Sequence, residues 1–268
     1  MTSLKYAGLV LCLTGISHAA VGVFGFWRLG ENDPGAAAGN FAGATTLDAS
    51  GGGNTLSLVG SPAPIYTITT PKNSTLAMSF TGSSNWSGPA VLTPANNFAI
   101  EIWAYPTSSG GNRAVIYNGN TGTAGYGIYQ LGSNWGVLYG GVVAASVTPV
   151  ILNQYTDLAL VRDAGVTTLY VNGTAFPLAL AAPNAVSGNM LIGANQAGTE
   201  RFVGLLDEGR LSTFNSPFDP TTLFINQPAS GSPGPATGVP AVGTVSMAIA
   251  IFCMAGLAFY ALRTRFAE

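Results

Sequence analysis

Two carboxylates stand side by side at Asp207 and Glu208 in the stretch FVGLLDEGRLST (Phe202 to Thr213), with Arg210 two positions on. Paired acids suit general acid and base work on a glycosidic bond, provided the two carboxyl groups flank it at about 5 to 9 Å. Strict strand alternation would place Val203, Leu205, Asp207, Gly209 and Leu211 on one face and Phe202, Gly204, Leu206, Glu208 and Arg210 on the other. On that expectation Asp207 and Glu208 point apart and do not serve one bond, and Glu208 with Arg210 forms a surface ion pair worth about 0 to 1 kcal/mol. Glu101 stands alone in AIEIW, without a second acid nearby.

The remaining chemistry is narrow. The single histidine, His18, and Cys12 fall near the N-terminus, and Cys253 falls in an apolar run near the C-terminus. The central region therefore has no imidazole base, no Ser-His-Asp or Cys-His nucleophile, no zinc site built on His or Cys, and no disulfide framework. With 7% charged residues and a formal net charge of -2, the chain has no basic patch for nucleic acid, which is not an expected partner.

The ends read as targeting segments. Lys5, an apolar run from Tyr6 to Ile16 and Ser17-His18-Ala19 predict a signal peptide over residues 1–19, cleaved after Ala19. Val245 to Leu262 is an uncharged run followed by Arg263 and Arg265, which predicts a transmembrane helix with a basic cytoplasmic tail over residues 263–268. Residues 226–244, rich in Pro, Gly, Ser and Ala, read as a spacer. This tail resembles the PEP-CTERM type of bacterial sorting signal, with Pro240 in the short motif and Arg263 and Arg265 as the basic end. Val239-Pro240-Ala241 stands where the best-known version has Pro-Glu-Pro. The resemblance implies an exported protein at the cell surface, a membrane contact through the C-terminal helix and an exosortase-like processing enzyme as a partner.

Between these ends, residues 20–225 carry short apolar or alternating stretches separated by Gly, Asn, Ser and Pro, with no sustained helical period. Strands are predicted near 23–29, 55–59, 74–80, 99–105, 113–118, 125–131, 134–140, 155–162, 167–171, 190–192 and 202–212. Turns are predicted at Asp163-Ala164-Gly165 and Asn172-Gly173. The fold class is all-β, an antiparallel sandwich or barrel. Trp103 and Tyr105 share a face of one predicted strand, and Trp135 and Tyr139 share a face of another; these rings either stack on sugars or fill the core. Sequons occur at Asn73, Asn85 and Asn172.

GFWRLGE (Gly25 to Glu31), TLDASGGGN (Thr46 to Asn54), FAIEIWAYP (Phe98 to Pro106), DLALVRDAGVTTLYVNGT (Asp157 to Thr174) and FVGLLDEGRLS (Phe202 to Ser212) resemble, in order and spacing, the laminin-G-like, concanavalin A-like jelly rolls. The resemblance implies a two-sheet jelly-roll sandwich and a carbohydrate or surface-polymer ligand. It also implies a structural calcium held by Asp207, with Asp48 or the carbonyls near Gly51 to Asn54 completing the shell. The alternative for Asp207 is that it accepts backbone N–H bonds or pairs with Arg28 or Arg162. The glycosidase branch of this fold uses a Glu-x-Asp-x-x-Glu strand, which this chain lacks: Trp103 and Pro106 stand at the positions that would partner Glu101. The expected function is non-catalytic binding; a polysaccharide lyase or glycosidase using Glu101 and a structural matrix protein are the alternatives.

Overall fold

The computed structural model describes residues 21–72 and 74–227. The predicted signal peptide, most of the spacer, the transmembrane helix, the basic tail with Pro240, Arg263 and Arg265, and the sequon at Asn73 lie outside the described residues.

Sixteen strands follow one another: β1 (Val21–Trp27), β2 (Thr45–Thr46), β3 (Leu56–Gly60), β4 (Ile65–Thr67), β5 (Ala77–Thr81) and β6 (Ser84–Pro89). Next come β7 (Phe98–Pro106), β8 (Asn112–Asn120), β9 (Ala124–Leu131), β10 (Asn134–Tyr139) and β11 (Val143–Pro149). The last are β12 (Thr156–Asp163), β13 (Val166–Val171), β14 (Thr174–Leu178), β15 (Asn189–Ile192) and β16 (Val203–Phe214), followed by two 3-10 turns at Pro220–Thr222 and Phe224–Asn226.

All pairings are antiparallel and form two sheets. The first has the order β14-β13-β12-β7-β16-β5-β4, with β1 also paired to β16. The second has the order β11-β10-β9-β8-β15-β6-β3-β2. This is the two-sheet jelly-roll sandwich expected from the sequence. The turns explain the pairing of β12 with β13 and of β13 with β14. Ala164 and Gly165 have φ 45° and 89°, and Asn172 and Gly173 have φ 49° and 76°. Positive φ at both central residues defines the two-residue hairpin turn whose twist matches the strands it joins.

Alternation then sorts the side chains. Ile100, Ile102 and Ala104 of β7 and Leu158 and Leu160 of β12 face the second sheet, where Ile116, Ile128, Trp135, Val137 and Tyr139 meet them. Phe98 and Tyr126 stack across the gap with ring centroids 3.7 Å apart. The opposite face of the first sheet carries Glu101, Trp103, Asp157 and Asp207, all nearly or fully buried although they point away from the main core. The C-terminal strap, residues 218–227, is what covers part of that face: Phe224 and Ile225 pack with Trp103, Phe26 and Tyr155.

Every predicted strand is present, with ends shifted by up to three residues. Five further strands, β2, β4, β6, β11 and β14, were not expected. SNWSGP of β6 reads as a loop by its Ser, Asn, Gly and Pro, yet Trp86 at its centre is fully buried. Pro177 interrupts β14 and offers no N–H, which fits its place at the edge of the first sheet.

Candidate functional site

The register of β16 on β7 slips at the acid pair. Asp207 lies opposite Trp103 and Arg210 opposite Glu101, so Glu208 and Gly209 together face Ile102. Glu208 takes φ 53°, and its N–H donates to Asp207 Oδ1 at 2.9 Å. Gly209 turns inward, where an added Cβ would come within 3.3 Å of Ile116 and Ile192. This β-bulge breaks the alternation that predicted divergent carboxylates. Asp207 and Glu208 point to the same side, and with Glu31 they bring one oxygen each to within 4.8 Å of one another. The expected Glu208–Arg210 surface pair is likewise corrected: Glu208 is buried and Arg28 donates to its Oε1 from Nε at 3.0 Å and from Nη2 at 2.7 Å. Arg210 instead pairs with Glu101.

Three elements position this acidic centre. β1 runs into Arg28, three residues before Glu31, whose Oε1 lies 3.5 Å from the guanidinium. The segment before β5 supplies Ser74 Oγ at 2.7 Å, Thr75 N at 2.6 Å and Leu76 N at 3.2 Å, all donating to Glu31 Oε1. The bulge supplies the other two acids. The second oxygens, Glu31 Oε2, Asp207 Oδ2 and Glu208 Oε2, are buried without a hydrogen bond.

Three carboxylates thus meet one guanidinium. Burial, followed by the charges of Glu208 and Glu31, pushes the Asp207 carboxyl well above the usual carboxylate range. Burial raises Glu208 to about 7 against the pull of Arg28. Orphaned buried oxygens of this kind are satisfied by protons or by a hard cation, and calcium takes 6 to 8 oxygen ligands. The donor set fits that ion.

Asp48 is not a member of the centre. Its Oδ1 accepts from Phe26 N at 3.0 Å and Ser50 N at 2.8 Å, and its Oδ2 from Asn54 N at 2.8 Å, so the carboxylate clamps the loop after β2 to β1. The Asn54 carbonyl is taken by Trp27 Nε1 at 2.7 Å. Arg162 bonds Thr167 and two backbone carbonyls, not Asp207.

Glu101 is enclosed. Its Oε1 accepts from Phe224 N at 2.6 Å and its Oε2 from Arg210, which also donates to Thr222 O at 2.8 Å and lies 4.2 Å over the Phe224 ring. Burial, then the neighbouring Glu101 charge, holds the Asp157 carboxyl well above its usual range.

Of the four candidate rings, three are buried. Trp135 and Tyr139 face the interior, with Gly136 and Leu138 on the other side of β10, and the Tyr139 hydroxyl is bonded to Thr167 Oγ1 at 2.9 Å. Trp103 points outward but lies beneath Phe224 and Tyr155. Tyr105 is half-buried, 5.2 Å from Tyr155, and reaches an open groove of about 490 Å3. Tyr66, Thr67, Thr69, Ser79 and Leu205 share its walls. Tyr155 fixes one rim by donating to Thr69 O at 2.8 Å. The Asn85 side chain is buried, and the Asn172 side chain accepts from Asp157 N at 2.9 Å.

Glu31 and the groove were not expected from the sequence. Glu31 stands three residues after Arg28 in the same GFWRLGE stretch, in the turn that follows β1, so opposite charges at short range were a local signal. The groove walls come from loops far apart in the chain and share no local signal.

Fold and site together define a two-sheet jelly-roll sandwich with a half-exposed tyrosine groove on one sheet and an acidic centre beside it. The model of the concanavalin A-like lectin/glucanases superfamily, laminin G type, matches residues 79–215, half of the chain, and the protein belongs to this superfamily. No curated protein sequence matches it. Among solved structures it is similar to domain 4 of AbnA, a GH43 extracellular arabinanase from Geobacillus stearothermophilus, in complex with arabinotriose. The identity is 15%, the coverage 77% of this chain and 98% of that one, and the TM-score 0.57. It is also similar to the Trypanosoma rangeli sialidase in complex with sialic acid, at 16% identity and a TM-score of 0.51, covering 75% of this chain and 32% of the sialidase. At such identities the likeness is one of fold.

Proposed function

We propose that the protein is a non-catalytic module that binds carbohydrate or another extracellular polymer in the groove beside Tyr105. The observation that carries this reading is the groove itself: a tyrosine face set among the hydroxyl-bearing Thr67, Thr69 and Ser79. An aromatic face packs on the C–H face of a sugar while the hydroxyls bond its oxygens. The arabinotriose complex of the similar arabinanase domain supports it by analogy. Calcium at Glu31, Asp207 and Glu208 would neutralise the buried acids. It would also tie the segment ending at Leu76 to β16. The flanking sequence signals support export and a membrane tether, with an exosortase-like enzyme acting on the tail.

Catalysis by paired acids is disfavoured by what Glu101 touches: both of its oxygens are engaged beneath the strap. Binding is measured on a panel of glycans and exopolysaccharides, with and without calcium, for the protein and for Tyr105→Ser. Saturable binding lost in the variant is expected. Release of reducing ends or unsaturated sugars would instead make it an enzyme, and a blank panel with self-association in light scattering would make it a matrix protein.

A further inference from the structure

The groove beside Tyr105 is floored by a single row of residues running across the strands. Ile65 lies opposite Ser79, Ser79 opposite Leu205 and Leu205 opposite Tyr105, so these four side chains point to one side of the first sheet. All four line the groove. Ile65 is also bridged antiparallel to Phe41, whose ring is 60% exposed, and paired residues share a face. The row therefore starts at one aromatic ring and ends at another, and four strand spacings of about 4.8 Å set their backbones about 19 Å apart.

The electrostatics of this row favour one class of ligand. Among the described residues, none that lines the groove is a lysine, arginine, aspartate or glutamate. Asp207 stands two residues beyond Leu205 on the same face, about 7 Å along β16, and gathers Glu31 and Glu208 beside it. The cations of neighbouring segments are engaged: Arg28 donates to Glu208, Lys72 to the Ile225 carbonyl and Arg210 to Glu101. An anionic sugar laid along the row would give up water, meet no counter-charge and face the acidic centre. A neutral sugar makes the same apolar contacts without that cost.

We infer that the row from Phe41 to Tyr105 is one extended site for an uncharged glycan chain, laid across β4, β5, β16 and β7 with its C–H faces on Phe41, Ile65, Leu205 and Tyr105. This rests on the polymer-binding reading of the groove and adds two things: the ligand class, a neutral polysaccharide, and a second aromatic platform at Phe41.

The probes are neutral polysaccharides paired with charged forms of the same chains: hydroxyethyl cellulose with carboxymethyl cellulose, and methyl-esterified with free polygalacturonate. The bound chain is expected to be preferred in its neutral form by about tenfold, with an affinity that does not fall as salt rises. Phe41→Ser, at an exposed position, is expected to weaken that chain about tenfold and to end the gain in affinity with chain length at shorter oligomers. Charged chains bound as tightly as their neutral partners, binding that salt weakens, or a folded Phe41→Ser protein that binds like the parent would overturn the inference. If the charged chains bind and Tyr105→Ser abolishes that binding, the groove reading stands and this one falls. A panel blank in both forms sinks the two together.

Discussion

The acidic centre makes stability depend on pH in a direction that reverses the usual behaviour of surface carboxylates. Glu208 ordinarily titrates at 4.5 and in the fold is pushed up to about 7, chiefly by burial, with Glu31 adding to the effect and Arg28 and Arg210 opposing it. Between these values the unfolded chain has released the proton and the folded chain still holds it. The slope of unfolding free energy with pH is set by protons bound unfolded minus folded, here minus one, so stability falls as pH rises. Over that window, at 1.36 kcal/mol per unit, the loss is about 3 kcal/mol from Glu208 alone. Below pH 4.5 the contribution is fully present, and above about 7 it is gone. Asp207, raised in the same direction, adds to the decline. Urea unfolding between pH 4 and 8 in excess chelator measures it, and Glu208→Gln is expected to flatten the curve whatever its absolute stability. Saturating calcium is expected to remove the decline, since the ion replaces the protons. A slope that rises with pH in chelator, or one that is the same with and without calcium, would refute the reasoning.

Asp48→Asn, which weakens an acceptor serving three backbone N–H groups, is expected to cost about 1 to 3 kcal/mol yet leave the chelator-induced drop in melting temperature intact, whereas Asp207→Asn is expected to abolish that drop in differential scanning calorimetry. Glu101→Gln leaves the buried Arg210 without its carboxylate. The expected cost is about 3 to 5 kcal/mol, with protease cleavage appearing within residues 218–227, which mass spectrometry of the fragments detects.

What could be read in the chain follows from which signals are local. Alternation in FAIEIWAYP and the Gly-containing turns near Ala164 and Asn172 placed β7, β12 and β13, because strand period and positive-φ turns depend on neighbouring residues. Trp86 hid in a polar stretch because its burial is decided by strands on either side of β6, not by its own neighbours. Asp207 was singled out, but its relation to Glu208 was misjudged: one extra residue opposite Ile102 changes the side on which everything beyond it points, and a bulge has no period to betray it. The burial of Trp103 depends on Phe224, more than a hundred residues later. Which ring would be wet was therefore not a property of either strand alone.

The sheet margins have a consequence for crowding. Pro177 withholds a donor from the outer side of β14, and β4 and β2 are only three and two residues long, so these borders give a neighbouring copy little backbone to zip onto. Strand β11, seven residues long at the other border of the second sheet, is a longer edge left open, so crowded copies would pair there sooner than along β2, β4 or β14.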